Sequence, residues 1–293
     1  MIFHVVFGRA WLARIATLLV VFLFAVEATA AAPQPGRSEQ IAGLDVAVWL
    51  PDAATPGPWP VIVFSHGFHG CNRQSTFLTA ALAQAGYAVF APNHRDAACR
   101  DLRGWFRRPE AAFGSPVRWT PDTYADRADD IRHLLDALEH DRSQTLDLRH
   151  VALVGHSLGG YTALGAAGAW SGWKDPRVKA VVALSPYAVP FGVHATLGGL
   201  AGVPVMYQGG TRDFGITPFI AAAGGIYDQS PAPKVFVEFE GAGHFAWTDL
   251  NETYQPSIIA YSRAFLDQAL KGIAMAPPLM QRGGDVTDFR SAP

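Results

Sequence analysis

Residues 151–168 read VALVGHSLGGYTALGAAG, and they narrow the fold more than any other stretch of the chain. Val151-Ala152-Leu153-Val154 is a short apolar run of the kind that forms a strand buried on both faces. Gly155-His156-Ser157-Leu158-Gly159 follows, and then a run of small residues suited to a closely packed helix. Ser157 therefore falls on a strand-to-helix turn. A turn that sharp strains the serine backbone and brings strand and helix so close that side chains at positions 155 and 159 would collide. The pattern G-x-S-x-G between a strand and a helix reads as a nucleophile elbow rather than a glycine-rich turn carrying an inert serine.

A serine hydroxyl is a weak nucleophile at neutral pH, so the elbow calls for a base, a group that orients the base, and donors for an oxyanion. Downstream, Val203–Gln208 reads as a buried strand that runs through Gly209-Gly210 to Asp213, and Lys234–Phe239 as an alternating strand that leads through Gly241-Ala242-Gly243 to His244. The order Ser157, Asp213, His244 leaves room for one or two strand–helix units between successive members. Asp213 could equally be a turn carboxylate capping the helix near Pro218. The strand Val178–Leu184 offers no alternative acid, because it ends in Ser185-Pro186-Tyr187. Upstream, the strand beginning at Pro60 empties into Ser65-His66-Gly67-Phe68. The amides of Phe68 and Leu158 are the expected oxyanion donors, with the helix dipole behind Ser157 adding to the field. His66, His69 and Cys71 are closely spaced, but no second cluster completes a metal ligand set, and neither metal nor cofactor is expected.

The segments Val63-Phe-Ser-His-Gly-Phe68, Tyr87-Ala-Val-Phe-Ala-Pro-Asn-His-Arg-Asp96 and Gly155-His-Ser-Leu-Gly-Gly160 resemble the dienelactone-hydrolase-like and platelet-activating-factor acetylhydrolase-like branch of the α/β-hydrolases. The layout Ser-Asp-His is similar to that of polyester hydrolases and cutinases. The resemblance covers residues 40–271. It implies an α/β fold with a mostly parallel central sheet, helices on both faces and a short cap, and a serine hydrolase that cleaves carboxylic esters through an acyl-enzyme. Dienelactone hydrolases carry a cysteine nucleophile where this chain has Ser157. Acetylhydrolases place the acid after the sixth strand, where this chain has Ser185, so Asp213 after the seventh strand is the expected partner.

Around this domain, Arg9 and Arg14 precede an uncharged apolar stretch from Ile15 to Val26, and Ala28-Thr29-Ala30 offers a cleavage site. Residues 1–30 thus read as a signal peptide of a secreted or periplasmic protein with no membrane anchor after cleavage. Residues 31–39 read as a flexible lead-in and 272–293 as a loose tail. In an oxidising compartment Cys71 and Cys99, both on loops after strands, are expected to pair. A net charge of −2 provides no basic footprint for nucleic acid. The oligomeric state stays open.

The loop from Asp101 to Pro121 is too long for a tight connection and carries Trp105, Phe106, Phe113 and Trp119. Together with His66, His69 and Tyr187, Trp105 and Phe106 are the candidate substrate-pocket residues. The segment Ser185–Gly202 is too short to build a deep apolar tunnel, so short acyl groups are expected unless the aromatic loop supplies a wall. Lipase or phospholipid-acetylhydrolase activity, amide cleavage by the same triad, and a non-catalytic binding protein on the same fold are the alternatives.

Overall fold

Strands covered on both faces need apolar side chains at almost every position, and the chain supplies such runs one after another. The computed structural model describes residues 36–98, 106–274, 277–280 and 282–293. Nine strands form one sheet: β1 (Arg37–Ile41), β2 (Leu44–Trp49), β3 (Trp59–Ser65), β4 (Ala88–Pro92), β5 (Leu146–His156), β6 (Val178–Leu184), β7 (Val205–Gly210), β8 (Lys234–Phe239) and β9 (Val286–Ala292). Their order is β1-β2-β4-β3-β5-β6-β7-β8-β9. The six strands from β4 to β8 in that order pair in parallel, while β1, β2 and β9 join antiparallel at the edges.

The period-two rule sorts the strand residues between two cores. Val61, Val63, Val151, Leu153, Val181 and Ala183 pack on one face with helices α2 (Ala125–Arg142) and α3 (Leu158–Leu164). Ile62, Phe64, Ala152, Val154 and Val182 pack on the other with α1 (Thr76–Gln84) and the last long helix, α6 (Gln255–Lys271). The stripe Ile131, Leu134, Leu135, Leu138 on α2 is fully inside. Between β6 and β7 the chain forms only α4 (Val189–Val193) and one turn of 3-10 helix, and after β7 comes the short α5 (Thr217–Ala221), so the cap is small. Among the described residues no helix is long and apolar enough to cross a membrane.

Two expectations about the ends need correction. The lead-in stops short of residue 39, because Arg37–Glu39 already pair with Val46–Val48 across a tight turn in which Ala42 and Gly43 both have positive φ. The segment 272–293 is not a loose tail. Val286–Ala292 pair along the whole of β8, covering a strand edge that would otherwise be left open. The alternation Val286, Asp288, Arg290 is too polar to stand out as a strand in the sequence. Residues 1–30, expected to be a signal peptide, lie outside the described residues, as do Cys99 and Trp105.

Candidate active site

Ser157 closes β5 and opens α3 with φ 55° and ψ −115°, a conformation an L-residue holds only when its surroundings enforce it. The flanking glycines show what enforces it. A Cβ on Gly155 would lie 2.2 Å from the carbonyl oxygen of Gly159, and one on Gly159 only 1.9 Å from that of Ser65. The turn is also tied to β6: the Ser157 amide donates to the Leu184 carbonyl at 3.0 Å, and the Ser157 carbonyl accepts from the Tyr187 amide at 3.0 Å. The hydroxyl of Ser157 faces a cleft above the carboxyl ends of the parallel strands.

His244 reaches that hydroxyl from the loop after β8, with Nε2 3.0 Å from Ser157 Oγ. Its other nitrogen, Nδ1, is 3.2 Å from Asp213 Oδ1. A carboxylate can only accept, so Nδ1 carries the proton and Nε2 presents its lone pair to the serine, as a general base requires. Asp213 is 3% exposed on the loop after β7, and its backbone carbonyl accepts from Thr217. A third group, absent from the sequence expectation, joins this pair. The Ser185 hydroxyl donates to Asp213 Oδ2 and lies 2.9 Å from His244 Nδ1.

Phe68 follows β3, and the loop that holds this expected oxyanion donor is braced from below. Arg127, fully buried on α2, makes a two-pronged ion pair with Asp96 at 2.7 and 3.0 Å and donates to the His66 carbonyl at 2.8 Å. His66 Nδ1 donates to the Gly67 carbonyl at 2.8 Å, and its Nε2 accepts from the His94 amide at 3.1 Å. Burial, with the Arg127 charge beside them, drives the basicity of His66 and His94 well below that of a free imidazole. Burial alone would raise the Asp96 carboxyl, but Arg127 overcomes it and holds Asp96 below the usual range.

A second chain of bonds runs from the loop that carries Phe68 to the loop that carries His244. The Gly67 amide donates to Gln74 Oε1 at 2.9 Å, and Gln74 Nε2 donates to His156 Nδ1 at 3.0 Å. His156 Nε2 then donates to the His244 carbonyl at 2.8 Å. Burial, and then the nearby His244, push His156 down to about 3, so it is neutral when it bridges.

The cleft has a volume of about 1280 Å³. Its walls are apolar: Phe113 on one side, Ile216, Phe214 and Phe219 after β7, and Phe245 and Leu250 after β8. Phe214, Phe219, Phe245 and Leu250 are 77%, 51%, 61% and 84% exposed, so they rim an open mouth rather than seal a tunnel. The only carboxylate beside Asp213 among the described lining residues is Asp249, which is engaged in capping the amides of Thr76 and Phe77 at 2.9 and 3.0 Å.

A family model for serine aminopeptidases of the S33 type matches residues 57–194, the stretch that holds β3, the oxyanion loop and the elbow. Cutinase est2 of Thermobifida alba is 27% identical over 238 residues, 78% of this chain and 68% of the cutinase. Cutinase 1 of Thermobifida cellulosilytica is 25% identical over 176 residues, 58% of this chain and 63% of the cutinase. The platelet-activating factor acetylhydrolase of Cavia porcellus is 26% identical over 185 residues, 52% of this chain and 41% of that enzyme. With the sheet order and the elbow already described, these matches decide the class. This chain has the α/β-hydrolase fold. An ester hydrolase is the activity class that the family and these relatives support.

In this hydrolase Ser157, Asp213 and His244 come together, with Phe68 lining the cleft beside them and Leu158 the next residue after Ser157. Of the candidate pocket residues, His69 and Tyr187 line the cleft. His66 does not; it is wholly buried beneath it in the Arg127 network. Phe106 does not either, standing 84% exposed and apart from the lining. Trp119 is a core residue, its ring 4.7 Å from Tyr187 and 5.0 Å from Tyr161. Among the described residues the aromatic loop contributes Phe113 to the apolar wall, and Phe214, Ile216 and Phe219 after β7 supply more of it. Their signal was in the sequence, as the apolar residues that directly follow Asp213.

Proposed function

We propose that this chain is a serine carboxylic ester hydrolase in which Ser157 attacks the ester carbonyl, His244 takes and returns the proton, and Asp213 holds the imidazole. The observation that carries the reading is the 3.0 Å approach of His244 Nε2 to the hydroxyl of a strained elbow serine. Attack forms the bond from Ser157 Oγ to the carbonyl carbon as the proton passes to Nε2, and the amides of Phe68 and Leu158 take the oxyanion. Return of the proton to the alcohol releases it, and water repeats the sequence to free the acid.

The substrate is an ester with apolar groups, and its acyl part is short. An open wall covers a chain on one side only, so each methylene gains less than the ~0.8 kcal/mol of full burial. Peptide cleavage, the activity in the family model's description, is the weaker reading. A free amino terminus needs a carboxylate partner, and Asp249 is occupied. The protein is exported with loss of residues 1–30, and Cys71 pairs with Cys99.

The test is labelling with a fluorophosphonate alongside a series of nitrophenyl esters. Label on Ser157, lost in Ser157→Ala with a fall in kcat of more than about a thousandfold, is expected. A Ser157→Ala variant that keeps a tenth of the activity overturns the mechanism, and a rate maximum at about ten carbons or more overturns the acyl preference.

A further inference from the structure

We propose that Ser185 is a positioning residue for the catalytic histidine: its hydroxyl, donated to Asp213, accepts the Nδ1–H of His244, so that a serine and an aspartate hold the imidazole together. The inference rests on the triad reading above and deepens it.

Ser185 directly follows β6, the strand next to the elbow, and has no exposed surface. Its φ is 43°, a left-handed value that a residue other than glycine keeps only when its neighbours hold it there. The amide of Ser185 donates to the Gln208 carbonyl at 2.8 Å, which fixes the residue to β7 beside Asp213. The hydroxyl then lies 2.9 Å from His244 Nδ1, while the nearer carboxylate oxygen of Asp213 is 3.2 Å away. Thus the serine is the closer acceptor for the Nδ1 proton.

The donor roles follow without choice. Asp213 can only accept, so the hydroxyl proton points at Oδ2, and a lone pair of Oγ is left for Nδ1–H. Thr217 Oγ1 is the other side-chain neighbour of Oδ2, at 3.5 Å, the limit of a hydrogen bond. Without Ser185 one oxygen of a buried carboxylate would have little else to accept from. No further proton changes hands: the Ser185 proton stays on its oxygen, the Nδ1 proton stays on His244, and only Nε2 exchanges with Ser157. When the imidazolium forms, both oxygens face its positive edge. A carboxylate at 185 beside Asp213 would bring two like charges together, and one would take up a proton. A hydroxyl adds an acceptor without adding charge.

Three variants test this by kcat and KM on a short nitrophenyl ester, with melting temperature as the check on folding. Ser185→Ala is expected to lower kcat by about tenfold or more with KM within about twofold, the effect of losing one hydrogen bond to a group that becomes charged. Asp213→Asn is expected to lose about 10³ to 10⁴. Adding Ser185→Asp to Asp213→Asn is expected to restore at least about tenfold over the single variant. Aspartate tolerates the left-handed φ, and its carboxylate reaches the same Nδ1–H. Restoration is not something a merely structural serine would produce. Unchanged kcat in Ser185→Ala, or a folded double variant no faster than Asp213→Asn, overturns the proposal. Wild-type kcat in Asp213→Asn overturns the triad reading itself.

Discussion

At the scale of single residues, the hydrolase keeps its charges where the chemistry needs them and removes them elsewhere. His66, His94 and His156 are buried and neutral, each with its basicity pushed down first by burial. An unfolded imidazole gains its proton near pH 6.5, whereas His156 in the fold resists protonation down to about 3. Between those values the unfolded chain binds protons that the fold excludes, so stability is present above about pH 6.5 and is lost as the pH falls. Asp130 works the other way. Burial lifts its carboxyl to about 6, so between there and its ordinary 3.8 the fold gains a proton and is favoured. Asp126 is raised by burial as well, but two carboxyls against three histidines still leave a net loss. The melting temperature is therefore expected to fall steadily from about pH 7 to about pH 4; a level profile down to about pH 5 would show that these histidines titrate in the folded protein.

Elements differ in how much of the site they carry. β5, β6, β7 and β8 each deliver one member of the Ser157, Ser185, Asp213, His244 group at their carboxyl ends, and parallel pairing is what lines those ends up. β9 has a different task. It pairs with β8 from Lys234 to Phe239, and Arg290 lies over the rings of Phe236 and Tyr227 at 5.4 and 5.8 Å. A chain ending at residue 284 is expected to keep kcat within about threefold when freshly prepared, because three strands, β6, β7 and β8, lie between β9 and the strand that leads to Ser157. It is expected to melt lower and to aggregate as the β8 edge opens. Light scattering with a melting curve checks this, and unchanged solubility and melting would mean that β9 contributes nothing to the edge.

For the whole molecule, the proposed export and the proposed Cys71–Cys99 link stand together, since a disulfide persists only in an oxidising compartment. Cys71 is 4% exposed on the loop after β3, close in sequence to Phe68 and Gln74. Linking it to Cys99 would close a loop of roughly 27 residues and add about 3 kcal/mol by restricting the unfolded chain. Mass mapping of secreted, unreduced protein is expected to find a mature terminus near Ala31 and a peptide joining Cys71 to Cys99. Recovery of residues 1–30 in the secreted protein, or two free thiols, contradicts the respective half of the reading.

What could be read in advance was whatever depends on local pattern. Gly155 is required by the nearby Gly159 backbone and Gly159 by the Ser65 carbonyl of the neighbouring strand, yet both glycines flank Ser157, so the signature is contiguous. The buried strands are apolar throughout, and α2 shows its stripe, because burial acts on every residue of an element. Asp213 and His244 were legible since each stands within a few residues of a strand end. Tertiary structure alone decided the rest. Arg127 has the sequence context of an exposed helix residue, and only folding brings Asp96 and the His66 carbonyl around it. Ser185 read as the absence of an acid, and its place between Asp213 and His244 exists only once β6, β7 and β8 lie side by side. A hydrogen bond across 28 or 59 residues leaves no periodic trace in a sequence, whereas the turn and the strand that create its partners do.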